Sequence, residues 1–210
     1  MSKMNTFFRN HINLKNQKRI QNKDFSLLCN NCNGAFILHD LGLKFRSPFV
    51  NLWMPPKDFI EYLEHLEHYR DIPIEFINDD IREYPVGVLR GVKEITVYFQ
   101  HYKTEEEAAK KWRERSKRIN LDNLFIILVE RDGCTYDDLK RFDSLSIYSN
   151  KVVFTHKEYP EFVSAYYIPG FEDQGYVGDL WKYKNRMSGK RIYDEFPYVK
   201  WFNKRNLESV

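Results

Sequence analysis

The chain has 210 residues, long enough for one sizeable core and short for two. Hydrophobic residues make up 42% and aromatic residues 16%, the composition of a packed domain rather than a disordered one. The 33 Lys and Arg against 30 acids leave a net charge of +3, too small an excess for general nucleic-acid binding.

In chain order, residues 1–22 form a short basic segment in which Phe7, Phe8, Ile12, Leu14 and Ile20 are loosely spaced. This pattern reads either as a surface helix or as an arm touching an anionic membrane surface. The segment has no long apolar centre, so it does not resemble a signal peptide, and the chain's apolar runs are too short to cross a bilayer. Cys29, Cys32 and Cys134 are an odd set without the spacing of a disulfide framework. Reduced thiols and a cytoplasmic location, extending to the inner face of the membrane, fit this usage.

From residue 23 to 210, strand-like and helix-like patterns alternate within one domain. "FSLLC" (25–29) predicts a strand leading into a helix at 34–41, and "PFVNLW" (48–53) predicts another leading into "KDFIEYLEHLEHY". In that helix Phe59, Ile60, Leu63 and Leu66 recur at helical spacing. "IPIEFI" (72–77) and "EITVYF" (94–99) read as strands on either side of an irregular "YPVG" stretch. Residues 104–120 predict a long helix, opened by Thr104 and Glu107 at capping-box spacing. "NLFIILVE" (123–130) is the near-continuous apolar run of a strand buried on both faces. A short helix opened by Thr135 follows, then strands at 151–156 and 163–169, the loop "GFEDQGYVGDLW", and a polar tail containing "YDEFPYVKWF". This alternation predicts a single α/β domain with a mostly parallel central sheet flanked by helices.

In such sheets ligands bind beyond the carboxyl ends of the strands. That rule gathers Asn31, Cys32, Asn33 and Gly34 after the first strand and His101 after "EITVYFQ". It adds Asp132 and Cys134 after the apolar strand and His156 after "KVVFT". A cysteine at a helix N-terminus has its thiolate favoured by the helix dipole. Neighbouring amides and backbone N–H groups can hold an oxyanion or a phosphate, and Gly34 allows close approach. Against this stands the plain alternative, that Asn and Gly make a turn and Cys32 is a small buried residue. Asp132 reads as a general base, a sugar-hydroxyl ligand or a simple connection residue. The cysteines and histidines lack paired zinc-ligand spacing, so no metal is expected, and no cofactor is identified. On the long helix, Arg115 and Arg118 belong to a basic row that suits pyrophosphate or is simply a solvated face. Glu172, Asp173 and Asp179 read as sugar-hydroxyl ligands, with Phe171, Tyr176 or Trp181 for ring stacking, or as ordinary loop residues.

The stretches "NNCNGAFILHDLGLKFRSPFVNLWM", "QHYKTEEEAAKKWRERSKRINLDNLFIILVERDGCT", "KVVFTHKEYP" and "YIPGFEDQGYVGDL" together resemble the bacterial domain of unknown function 1919. Asn33 stands where that family often has a bulky residue. The resemblance implies an α/β fold and a link to exopolysaccharide or capsule biosynthesis, with no catalytic residue to carry over. The expected function is a transferase acting on a glycan or its activated sugar precursor. Acyl transfer from an acyl donor is favoured, since a cysteine–histidine pair suits it. The alternatives are a glycosyl- or phosphoglycosyl transferase and a non-catalytic glycan-binding or assembly protein.

Overall fold

The computed structural model describes residues 3–185 and 187–204; the last six residues assigned to the domain lie outside the described residues. Among the described residues, seven α-helices and seven strands follow in the order α1 (Lys3–Arg19), β1 (Ser26–Cys29), α2 (Asn33–Asp40), α3 (Pro56–Glu64), α4 (Leu66–Tyr69), β2 (Glu75–Ile77), β3 (Val86–Arg90), β4 (Glu94–Tyr98), α5 (Glu105–Ser116), β5 (Leu124–Val129), α6 (Tyr136–Asp143), β6 (Lys151–Thr155), β7 (Ala165–Tyr167) and α7 (Tyr198–Phe202).

The main sheet is four-stranded, in the order β1-β5-β6-β7, and every pairing in it is parallel. All six residues of β5 are buried, as a strand covered on both faces requires. Alternation along the strand then divides them between two cores. Leu124, Ile126 and Leu128 face α3, α5 and α6 through Phe59, Leu63, Trp112, Leu139 and Phe142. Phe125, Ile127 and Val129 face α2 and the C-terminal segment through Ile37, Leu38, Tyr193, Trp201 and Phe202. The "YDEFPYVKWF" stretch is thus a packed wall of the domain, with Trp201 and Phe202 set edge-on to Phe125 at 4.9 and 5.2 Å.

A second sheet, β2-β3-β4, is antiparallel, and it departs from the expected single sheet. Its central strand β3 was hidden because "YPVG" looks like a turn, yet Val86 and Val88 pair across to Tyr98 and Thr96. The "PFVNLW" stretch is not a strand: only Trp53 pairs, through a single antiparallel bridge to Tyr98. The long helix does begin at Thr104, whose Oγ1 accepts from the Glu107 N–H at 3.2 Å. Thr135 and Asp138 form a reciprocal capping box on α6. Helix α1 is docked on the domain rather than detached from it. Arg9, 2% exposed, donates to Asp40 and Asp194 at 2.9 and 2.5 Å and to the Tyr193 hydroxyl at 3.1 Å. Among the described residues no helix is long and apolar enough to cross a membrane.

Gly34 serves the packing of α2 on β1. A Cβ at this position would lie 2.6 Å from Cys29 Cβ and 3.4 Å from a Leu27 methyl. The close approach is therefore to a strand rather than to a ligand. Gly34→Ala is expected to destabilise the protein by about 1–3 kcal/mol, because overpacking outweighs the helix preference for alanine. Urea denaturation checks this; an unchanged midpoint would mean that α2 can slide away from β1 at no cost.

Candidate functional site

Because β1, β5 and β6 run parallel and adjacent, their carboxyl ends open on one edge of the sheet. Asn30, the first residue beyond β1, ties that edge together. Its Oδ1 accepts from the Val129 N–H at 2.9 Å, and its carbonyl accepts from the Met54 N–H at 2.8 Å. The chain then turns at Asn31, whose Oδ1 accepts from the Asn33 N–H at 3.1 Å, and Cys32 takes the N-cap position of α2. The expectation of a strand–turn–helix with Cys32 at the helix start is met in geometry.

Above this turn lies a cleft of about 560 Å³. Asn31, Cys32, Asn33, His101, Arg131 and Asp132 all line it. His101 arrives from the antiparallel sheet, not from the main one, and is held by its N–H to the Asn51 carbonyl at 3.2 Å. Aromatic side chains supply the walls. Trp53 lies on Tyr98 with centroids 4.1 Å apart and an 11° interplanar angle, and Phe36 lies on Trp181 at 5.6 Å and 22°. Arg131 and Asp179 pair across the rim at 3.1 Å, and Arg131 Nε stands 3.2 Å from Asp132. Asp132 adopts φ 55°, a left-handed conformation that aspartate tolerates better than most residues, and Gly133 follows at φ 83°. Burial alone would raise the Asp179 carboxyl, but hydrogen bonds from Arg131 and Lys182 outweigh it and hold the group below the usual carboxylate range.

Two lining residues carry unmet hydrogen-bonding capacity. Asn31 is 7% exposed and Asn33 3%, and neither Asn31 Nδ2 nor Asn33 Oδ1 has a partner among the described residues. A buried donor and acceptor left unpaired are costly, and both side chains lie along the cleft, where a small rotation would let a polar ligand meet them.

The electrostatics of Cys32 differ from the expectation of a ready thiolate. Burial raises its thiol above the ordinary range, outweighing a backbone hydrogen bond from Leu52 and the charge of Arg131, which lower it. Desolvation beats the end of a short helix, and Cys32 rests as a thiol at neutral pH. Cys29, 1% exposed, is pushed up to about 12 by burial and belongs to the core.

Other predicted residues fall outside this cleft. Cys134 packs against the core, and burial together with Asp138 and Glu130 drives its thiol far upward. His156 is turned inward. Its N–H donates to Glu130 at 2.9 Å and its Nδ1 lies 2.8 Å from the same oxygen, while Tyr159 donates to the other oxygen at 2.7 Å. These donors compensate a carboxylate that is only 5% exposed, and so join the ends of β5 and β6. Arg115 and Arg118 are separated. Arg115 donates to the Tyr102 hydroxyl at 2.7 Å and lines an adjoining cavity of about 510 Å³ with Arg191 and Phe45. That cavity shares Cys32, Phe36 and His101 with the cleft. Arg118 lines neither cavity and stands 3.9 Å from Glu114.

Phe36, Trp53, Tyr84, Gln100 and Arg191 were not legible as site residues: Phe36 sits within the apolar run of α2, and the other four follow no main-sheet strand directly. Elsewhere among the described residues, Glu61, Glu64 and His65 bring potential ligand atoms within 4.8 Å of one another. Arg141 donates to both glutamates and Lys93 stands 2.8 Å from Glu61, so these carboxylates serve as an ion-pair cluster joining α3 and α6.

Residues 3–203 match the family model described as domain of unknown function (DUF1919). An uncharacterised protein of Haemophilus influenzae is 46% identical over 203 residues, covering 97% of this chain and 94% of that protein. By both measures, the chain belongs to the DUF1919 family.

Proposed function

We propose that the cleft binds a glycan or its activated precursor and that the protein is a transferase, moving an acyl group through Cys32. The role in surface-polysaccharide synthesis is what the family resemblance implies. The observation that carries the reading is the pair of unpartnered asparagine groups on either side of Cys32, in a cleft walled by aromatic rings and reached by His101. Planar rings and fixed amides are the groups that grip a sugar's apolar face and its hydroxyls. In the reaction, His101 takes the Cys32 proton as sulfur attacks the donor's acyl carbon. The donor's leaving group departs with that proton, and a thioester remains on Cys32. An acceptor hydroxyl, deprotonated by His101, then attacks the thioester and restores the thiol.

A second reading, a glycosyl- or phosphoglycosyl transferase, is favoured by Arg115 and Arg191 in the adjoining cavity, where their forks suit a pyrophosphate. Thermal-shift measurements with acyl-coenzyme A and nucleotide-sugar sets separate the two. An acyl donor that stabilises the protein and slows alkylation of Cys32 supports acyl transfer. A nucleotide sugar that does so instead favours the second reading, and Arg115→Ala should then weaken its binding by about 1.5–3 kcal/mol while Arg118→Ala leaves it unchanged. No shift with either set would leave only a glycan-binding or assembly role.

A further inference from the structure

Helix α1 is built inside out. Its sequence, KMNTFFRNHINLKNQKR, contains no Asp or Glu, and Asn5, Arg9, Asn13, Asn16 and Gln17 face the domain. Asn5 donates to the Asn185 carbonyl at 3.0 Å, Asn13 to Asp40 at 3.1 Å, Asn16 to the Tyr198 hydroxyl at 2.9 Å and Gln17 to the Asp40 carbonyl at 3.0 Å. Arg9 sits at the centre of this buried polar face. The large apolar side chains point the other way: Phe7 is 70% exposed, Leu14 58% and Phe8 38%. A helix packed only for the stability of its own domain turns its apolar stripe inward. Here the order is reversed, and hydrogen bonds and ion pairs hold the helix while its apolar face is presented outward.

We propose that this face docks on an anionic lipid bilayer, with α1 lying in the membrane interface. Phe7, His11, Leu14 and Lys18 follow one another at helical spacing along the outward side, with Phe8, Lys15 and Arg19 beside them. Apolar residues flanked by unopposed basic ones are the pattern that interfacial helices use. Met187, 66% exposed in the loop that Asn5 holds, extends the apolar surface. The charge has a place to act. A groove of about 440 Å³ between α1 and the C-terminal segment is lined by Lys15, Arg19, Lys190 and Lys200. None of these four forms an ion pair with a carboxylate among the described residues. Asp194 also lines the groove, but Arg9 and the Arg191 N–H engage its carboxylate. The groove is therefore fitted to lipid phosphates lying beside the inserted rings. A protein partner or a second copy would have to complement both the rings and the cations, and this chain offers no acid-rich apolar counterpart on α1 itself. The proposal is independent of what the cleft binds.

The test is flotation of the full chain with vesicles of equal parts phosphatidylcholine and phosphatidylglycerol, against vesicles of phosphatidylcholine alone. Binding to the anionic vesicles is expected to be tighter by at least about tenfold and to weaken with added salt. Phe7→Ser with Leu14→Ser should abolish flotation without moving the denaturation midpoint, because both side chains face solvent. Lys15→Glu with Arg19→Glu should remove the preference for anionic lipid. Equal binding to both vesicle types, or flotation unaltered by the serine pair, would overturn the proposal. So would a concentration-dependent dimer, dissolved by the serine pair, that does not float; it would assign the face to a second copy.

Discussion

Arg9→Ala is expected to cost about 3–5 kcal/mol of stability, more than any other single change on the surface of α1. The guanidinium is 2% exposed and is shared between Asp40 and Asp194, with the Tyr193 hydroxyl on its third edge. Removing it leaves two carboxylates in a poorly hydrated setting with fewer donors. The Arg191 guanidinium, 3.2 Å from Asp40, would compensate that charge, leaving Asp194 with neutral donors such as the Arg191 N–H. Arg9→Lys should recover part of the loss, since the charge returns but one ammonium cannot span both acids in a plane. Equilibrium denaturation of the three proteins checks the order. If alanine and wild type unfold at the same denaturant concentration, the buried network adds nothing net. Since Asp40 ends α2, whose first turn carries Cys32, the loss of Arg9 is also expected to loosen the cleft.

Under the proposed acyl transfer, Cys32→Ser is expected to retain the fold and to lower turnover by a factor on the order of 10³ or more, with His101→Gln lowering it by about 10²–10⁴. The two losses should not add when combined, because in that reaction sulfur and imidazole would act in one step. The burial that raises the Cys32 thiol sets the pH dependence. A raised thiol stays protonated at neutral pH, so alkylation of the free protein should be slow there and should accelerate only above the ordinary thiol range near pH ~8.5. Cys29, held further upward by full burial, and Cys134, by burial together with Asp138 and Glu130, should react later. Mass-spectrometric mapping of iodoacetamide adducts across pH reads this directly. Rapid labelling of Cys32 at neutral pH would show that the helix N-terminus outweighs desolvation. A fully active Cys32→Ser protein would end the covalent reading.

Local chemistry in the sequence determined much of the frame. The six-residue apolar run of β5 requires cover on both faces, and both cores close on it. Thr104 and Thr135 placed two helix starts, because a hydroxyl can meet an orphan N–H only at that offset. The turn Asn31-Cys32-Asn33 followed a strand and began a helix, so its position at a sheet edge was readable. Tertiary structure decided which rim groups share a cavity. His101 and Cys32 line the same space because the antiparallel sheet lies beside the main one, a relation with no local signature. His156 looked equivalent to His101 until Glu130, 26 residues earlier, captured it. The long helix was expected to carry both Arg115 and Arg118, yet α5 ends at Ser116 and Arg118 falls in the turn beyond it, so only Arg115 lines the cavity. The thiol of Cys32 followed the same division: its place came from the sequence, whereas its protonation came from burial by segments far along the chain. Hydrogen-bond spacing and apolar periodicity act over a few residues, while desolvation and side-chain pairing depend on what packs from elsewhere.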